Sequence, residues 1–239
     1  MPGDPPAAVV RTAEQGTGQA TGQQTGQAIE QPAASSPLTA VSWPVRTARL
    51  QLRAATAGDA EVTWPYWRLE VVNNWLTRAP DTYEEYRAVF EYPVRLAKTL
   101  VVELDGVVIG DLMIAVEDAW AQAEVADQAR GVQAELGWTF HPGYTGQGYA
   151  TEAVRELIRI CFTDLGLRRV TANCFAGNEA SWRLMERVGM RRELYTVRES
   201  LHRSGAWLDG IGYALLADEW RGVSSTEPDG GTPGQPAPS

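Results

Sequence analysis

Residues 132–164, VQAELGWTFHPGYTGQGYATEAVRELIRICFTD, read as a strand, a glycine-punctuated turn and a long amphipathic helix. Val132 to Phe140 is rich in β-branched and aromatic residues, and His141-Pro142-Gly143 ends the extended run. Beyond the turn, Ala150, Ala153, Val154, Leu157, Ile158, Cys161 and Leu165 recur at spacings of three and four, which puts one apolar stripe on a helix. Glu152, Arg155, Glu156 and Arg159 occupy the other side and support the helix weakly through opposite charges.

The turn itself, Gly143-Tyr144-Thr145-Gly146-Gln147-Gly148-Tyr149-Ala150, feeds directly into that helix. Glycine adopts positive φ and lets a backbone approach a ligand without a Cβ in the way. The first N–H groups of a helix have no intrahelical partner, and the macrodipole makes that end partly positive. A phosphate or pyrophosphate fits such a place. A plain helix start with two convenient glycines is the competing reading. Gly146-Gln147-Gly148-Tyr149-Ala150-Thr151 does not complete the G-x-G-x-x-G dinucleotide fingerprint, and no G-x-x-x-x-G-K-[ST] loop occurs.

Working outward, Gly166 ends the helix and Arg168 to Phe175 forms the next strand, parallel to Val132–Phe140. Strand, helix and strand in this order predict a right-handed crossover. Asn178 caps a short helix through Val188, with Gly189 at its end. Met190–Leu194 and Trp207–Leu216 read as the last two strands, and the Arg198, His202 and Arg203 between them as a solvated hairpin tip. Upstream, Val45–Arg53 reads as one strand, and Asp59 is placed to cap a helix. Trp64, Tyr66, Trp67, Trp75, Tyr83, Tyr86 and Phe90 lie on two helices separated by Pro80-Asp81, where they serve core or pocket wall. Leu100–Leu104, Asp105-Gly106 and Val107–Ile114 form a hairpin whose Asp-Gly turn suits the positive φ angles of type I′. Glu117 to Gly131, rich in Ala, Gln and Glu, is a partly helical insertion. It suits substrate contact, dimerisation or a tolerated surface loop.

The 239 residues carry a formal net charge of −9, with a pI near 4.8, which argues against nucleic acid as a main partner. Residues 1–42, with Thr-Gly-Gln recurring at 17, 21 and 25, bury nothing at a regular period and predict a disordered tail. Residues 222–239, with Pro, Gly and Ser, predict a second disordered tail, which leaves one domain over 43–221. The start lacks the pattern of a signal peptide and no run is long enough to span a membrane, so the expectation is a cytoplasmic protein without a membrane partner. Cys161 and Cys174 each lie in an apolar run and predict buried, reduced thiols. His141 and His202 are the sole histidines, which leaves no zinc-ligand spacing and no metal site.

Three ordered stretches carry a resemblance. Glu135-Leu136-Gly137-Trp138, then Gly146-Gln147-Gly148-Tyr149-Ala150-Thr151-Glu152-Ala153, then Asn178-Glu179-Ala180-Ser181 with Glu186-Arg187-Val188-Gly189-Met190 resemble the GNAT N-acetyltransferases. Their nearest likeness is the RimJ/RimL-like branch, which acetylates ribosomal-protein N-termini. The resemblance runs from about Val45 to Arg221 and includes an Arg49-Leu50-Gln51-Leu52-Arg53 opening strand. It implies an α/β (α+β) fold: a mixed central sheet of about six to seven strands flanked by about four helices, around a parallel strand-helix-strand core that binds the cofactor.

The resemblance also implies an acetyl-coenzyme A-dependent N-acetyltransferase acting on a primary amine, a protein N-terminus or a small molecule, possible as a homodimer. A non-catalytic acyl-coenzyme A sensor or interaction module on the same fold is the alternative. The implied cofactor contacts are Trp138, Thr139 and Phe140 on the strand, Thr145, Gly146, Gln147, Gly148, Tyr149, Ala150 and Thr151 in the turn, and Asn178 and Ser181. Thr145 stands where the family's turn carries Gln or Arg, which removes a side chain and spares the backbone donors. Ala134-Glu135-Leu136 resembles the context of a general-base Glu, and the plain alternative for Glu135 is a pair with a nearby Arg. Met185 occupies the position where many members have a proton-donating Tyr. Ser181 matches the serine assigned that role in the RimJ/RimL-like branch, or else hydrogen-bonds coenzyme A.

Overall fold

In the computed structural model, which describes residues 36–224, eight strands form one mixed sheet. They are β1 (Val45–Arg46), β2 (Gln51–Ala54), β3 (Thr99–Leu104), β4 (Val107–Glu117), β5 (Gln133–Phe140), β6 (Arg169–Phe175), β7 (Arg191–Leu201) and β8 (Trp207–Leu216). Their order is β1-β2-β3-β4-β5-β6-β8-β7, and every neighbouring pair is antiparallel except β5 and β6. Seven α-helices accompany them: α1 (Asp59–Trp67), α2 (Glu70–Asn73), α3 (Tyr83–Phe90), α4 (Pro93–Leu96), α5 (Tyr149–Arg159), α6 (Glu179–Arg187) and α7 (Ala217–Ser224).

Side chains alternate across a strand, so the sheet has two faces of different chemistry. On one, Leu112, Ile114, Leu136, Trp138, Phe140, Val170, Ala172 and Cys174 pack with Val154, Leu157 and Ile158 of α5 and with Leu184 and Met185 of α6. Fully burying one such Leu or Ile side chain contributes about 1.5–3 kcal/mol. Pairing of Asp111 with Thr139, Met113 with Gly137 and Glu135 with Thr171 puts those residues on the other face. Against it lies a second, smaller cluster from the aromatic helices, with Tyr66, Trp67, Val72, Leu76, Tyr86 and Phe90 at its centre.

Several expectations hold. Asp105 and Gly106 both take positive φ (49° and 81°) between β3 and β4. Asn178 caps α6 through a hydrogen bond from the Ser181 N–H, and Gly166 and Gly189 adopt positive φ after their helices. Both cysteines are free and buried; burial pushes the Cys161 thiol well up and the Cys174 thiol to about 12.

Others are corrected. The sheet has eight strands, more than six to seven, because Val45–Arg53 folds back on itself. Thr47 N–H donates to the Leu50 carbonyl (2.9 Å), and Val45 then pairs with Leu52. The aromatic stretch breaks into four short helices where two were expected, since Leu69 is extended (ψ 130°) and Pro93 opens a new helix after an extended Tyr92. With α7 this raises the helix count above four. The insertion is partly helical as expected: Ala123–Ala129 is a 3-10 helix, and the Asp118 carboxylate accepts from Gly131 N–H (2.8 Å) to close the loop.

The β7–β8 hairpin tip is solvent-exposed from Arg203 to Ala206, as expected, and is also anchored to the helical side. His202 Nε2 meets the Asn74 carbonyl (2.9 Å), and Arg203 donates to the Leu76 carbonyl (2.6 Å). Arg198 sits inside β7 at a break in register, with φ 49°.

The domain starts earlier than residue 43. Pro37–Ala40 forms a 3-10 turn with Leu38 (4% exposed) and Val41 in the main core, where two hydrogen bonds hold the chain. The Ser36 hydroxyl donates to the Ala97 carbonyl and Trp43 Nε1 to the Leu38 carbonyl (2.8 Å). At the other end α7 runs to Ser224, past residue 221. Of the tails expected over residues 1–42 and 222–239, residues 1–35 and 225–239 lie outside the described residues.

Candidate active site

The parallel ladder between β5 and β6 is short. It pairs Gln133 with Arg169, Ala134 with Val170 and Glu135 with Thr171, and then stops. The other edge of β5 stays paired with β4 up to Phe140 opposite Gly110. Main-chain groups of Leu136–Phe140 that face β6 are therefore left without a strand partner, and the sheet opens as a wedge at Glu135. Unpaired backbone groups on a sheet edge are ready to bind an extended ligand.

At the end of β5, His141 Nδ1 accepts from Gly143 N–H (2.9 Å) and the Thr145 hydroxyl donates to the Pro142 carbonyl (2.8 Å), which shapes the turn. Gly146 (φ 74°) and Gly148 (φ 81°) take the left-handed conformation that other residues resist. The first helical bond of α5 runs from Glu152 N–H to the Gly148 carbonyl, and no hydrogen bond among the described residues engages the amides of Gly146 to Thr151. Six donors at a helix N-terminus fit a pyrophosphate.

Arg49, at the β1–β2 turn, braces this loop. Its guanidinium donates to the Gln147 carbonyl (2.9 Å) and to Glu152 (2.7 Å), and lies over the Tyr149 ring at 4.5 Å. Burial raises the Glu152 carboxyl, but Thr47 and Arg49 outweigh it and hold the group below the usual range. Arg49 thus brings a guanidinium to the turn from the β1–β2 connection. Sequence reading missed this because Arg49 is about a hundred residues away from the turn.

Of the two carboxylates on the open face, Glu135 was expected and Asp111 was not. Glu135 is 5% exposed, and Asn173 of β6 donates to its Oε1 (3.1 Å). The donor of this bond is a side-chain amide. A Cβ at Gly212 would sit 2.7 Å from Asn173 Oδ1, so the glycine leaves room for that side chain. Asp111 is buried (6% exposed); Tyr66 Oη and Trp67 Nε1 both donate to its Oδ1, at 2.8 and 2.7 Å. Burial raises its carboxyl, against which the Trp67 bond, the Arg95 charge and the Tyr66 bond act. A lone carboxylate in the apolar run Val107–Ile114 was the available signal.

Asp111 faces a cleft with Gly137 and Thr139 of β5, Trp67 of α1, Leu76 to Arg78, and Arg95, Lys98 and Thr99. Glu135 is outside that lining. Asn178 and Ser181 are buried at the start of α6, on the chain that leaves β6, across the wedge from the turn. Trp138 points its side chain into the main core, where its Nε1 is the single buried side-chain polar atom without a hydrogen bond among the described residues. Among the described residues, no three His, Cys, Asp or Glu side chains cluster as metal ligands, and no helix is long and apolar enough to cross a membrane.

Residues 49–191 match the family model described as acetyltransferase (GNAT) domain. The uncharacterized N-acetyltransferase YnaD of Bacillus subtilis (strain 168) is 37% identical over 86 residues, which cover 36% of this chain and 50% of that protein. The chain thus aligns with about half the length of that curated relative. The crystal structure of an acetyltransferase (GNAT family) from Bacillus anthracis superposes with a TM-score of 0.62 at 28% identity, covering 73% of this chain and 99% of that one. Mycobacterium smegmatis RimJ in complex with CoA-disulfide has the same fold, with a TM-score of 0.56 at 24% identity and coverage of 73% and 89%.

Proposed function

The chain belongs to the acetyltransferase (GNAT) family, and from that premise we propose that it transfers an acetyl group from acetyl-coenzyme A to a primary amine. The six unengaged amides of Gly146–Thr151, past the end of the β5 stretch that β6 leaves unpaired, are the observation that carries this reading. Those amides, with the Arg49 charge beside them, would hold the pyrophosphate; the open edge of β5 from Leu136 to Phe140 would hold the extended arm. When bound, the thioester supplies an activated acetyl group with a thiolate leaving group.

The chain's own residues then have two tasks. An ammonium must lose a proton before it is a nucleophile, and the departing sulfur must gain one. Glu135 is the proposed base: Asn173 fixes one carboxylate oxygen, and the group stands at the apex of the wedge. Ser181 is the proposed acid or a coenzyme A contact, at the α6 N-terminus with the Asn178 cap beside it. Met185 is a buried core residue, unable to donate a proton. This combination, with the likeness in fold to RimJ, supports placement in the RimJ/RimL-like branch.

Acidic composition and solvent-exposed loops suit a cytoplasmic enzyme that does not bind nucleic acid. A homodimer is proposed through β7, the outer strand of the sheet, which exposes Leu194, Tyr195 and Val197. Thiol release from acetyl-coenzyme A tests the function against N-terminal peptides, small amines and polyamines. Acceptor-dependent release is the expected result; tight cofactor binding with no release on any amine would instead identify a non-catalytic acyl-coenzyme A sensor.

A further inference from the structure

The cleft on the open face has a charge pattern opposite to that of the chain. The protein as a whole is at −9, yet three cations, Arg78, Arg95 and Lys98, and one carboxylate, Asp111, line this cleft. Elsewhere the arginines near carboxylates are matched: Arg53 pairs with Asp59 and Glu103, Arg159 with Glu156 and Asp164, Arg49 with Glu152. Arg95 and Lys98 are both half-buried and enter no salt bridge among the described residues. Arg95 instead stacks its guanidinium 4.6 Å over the Trp67 ring and 5.6 Å from Phe90, which fixes its direction without neutralising it.

Asp111 is equally fixed and only half used. Both of its hydrogen bonds come to Oδ1, from Tyr66 and Trp67. Oδ2 takes none, yet it is not among the sealed, unsatisfied atoms of the described residues, so it faces the cleft. That oxygen is left open to a donor arriving through the cleft. An ammonium donates three N–H bonds and would meet it well.

We propose that this cleft receives the acetyl acceptor, and that the acceptor is a primary amine carrying an anionic group, a carboxylate or a phosphate. The ammonium is held by Asp111 Oδ2 before transfer, and the anionic group by Arg95 and Lys98. Thr139, paired with Asp111 across β4 and β5, places this arrangement on the face of β5 that also bears Gly137 and Glu135. A polycation with no anionic group would bring like charges to Arg95 and Lys98 and is excluded by the same geometry. This inference rests on the acetyltransferase reading for the identity of the acceptor, but not for the binding itself.

The test is a pair of matched ligands. Calorimetric binding and thiol release are compared for O-phosphoethanolamine against ethanolamine, for Ala-Asp-Ala amide against Ala-Asn-Ala amide, and for spermidine. The anionic member of at least one pair is expected to bind about tenfold more tightly than its neutral match, the phosphate pair identifying a small-molecule source and the peptide pair an acidic N-terminus. Lys98→Ala, at a half-exposed position, should remove that preference while acetyl-coenzyme A affinity is unchanged; Asp111→Asn, which keeps the Oδ1 acceptor, should weaken both members alike. Preference for spermidine, equal binding within both pairs, or loss of acetyl-coenzyme A affinity in Lys98→Ala would overturn the inference. Charge-selective binding without thiol release on any amine would support the inference and sink the transferase reading instead.

Discussion

On one side of the sheet, Leu136, Trp138 and Phe140 pack against Val154, Leu157 and Ile158 of the helix that immediately follows their own strand. On the other, Asp111, Glu135, Gly137 and Thr139 are met by Tyr66 and Trp67, by Arg95 and by Asn173, from segments up to about seventy residues distant. The first side is a local product: strand, turn and helix adjoin in the chain, and the helix start delivers its amides by geometry alone. The second is assembled, with a floor from strands and walls from α1, α4 and the Leu76–Arg78 segment. A cofactor common to a whole family suits a site made locally. An acceptor that differs between members suits a site whose walls come from separate helices that can vary independently.

Removing the proposed base should separate the two sides most strongly. Glu135→Gln keeps shape and hydrogen bonding, so acetyl-coenzyme A affinity should hold while turnover falls by about 10²-fold or more. The acidic limb of the pH–rate profile should vanish with it. Near-normal turnover with that limb intact would move the base elsewhere on the open face, with Asp111 next in line.

A stability effect of the next size is expected at the N-terminal edge. Leu38→Ala should cost about 2–5 kcal/mol by denaturant titration, because Leu38 is a core residue held by Ser36 and Trp43. A chain trimmed to begin at residue 42 should lose stability for the same reason. Unchanged midpoints in both would return Leu38 to a dispensable tail.

The smallest effect concerns the buried carboxylate. Asp111 has its folded-state pKa raised by burial, so the native state holds this proton more tightly than the unfolded chain. Stability from this group therefore falls as pH rises from the ordinary aspartate value towards the raised one, and stays lowered above it. Asp111→Asn removes the charge and still accepts from Tyr66 and Trp67. It should match or exceed the parent's melting temperature at neutral pH, with the advantage shrinking on acidification. A variant less stable at neutral pH than in acid, relative to the parent, would show that the Arg95 charge dominates.

The local side was the legible one. The apolar stripe of α5, the two glycines, the Asp-Gly turn and the Asn178 cap each announce themselves within a few residues, since periodicity and positive φ are short-range properties. Seven scattered aromatics did not reveal four short helices, because Leu69 and Tyr92 carry no strong breaking signal of their own until Pro93 follows. Leu38 and Val41 lay in a run of Pro, Ser and Ala, and became core only through contacts made across the fold. Asp111 was read as part of a hairpin strand; its partners Tyr66 and Trp67 are 45 and 44 residues away. Arg49 reached the glycine turn from 98 residues away.

Calorimetric titration of acetyl-coenzyme A into the parent chain and into Gly148→Glu tests the central claim most directly. Gly148 stands at φ 81° with its surroundings open except for Arg49, 3.4 Å from an added Cβ. A glutamate there would aim a negative charge at the pyrophosphate position, and the strain of positive φ is of the order of 1–2 kcal/mol, which a well-packed domain survives. The account predicts saturable binding to the parent and none to a folded Gly148→Glu variant, with folding checked by circular dichroism. Equal affinity in the two proteins would contradict it, and would take the cofactor away from this turn.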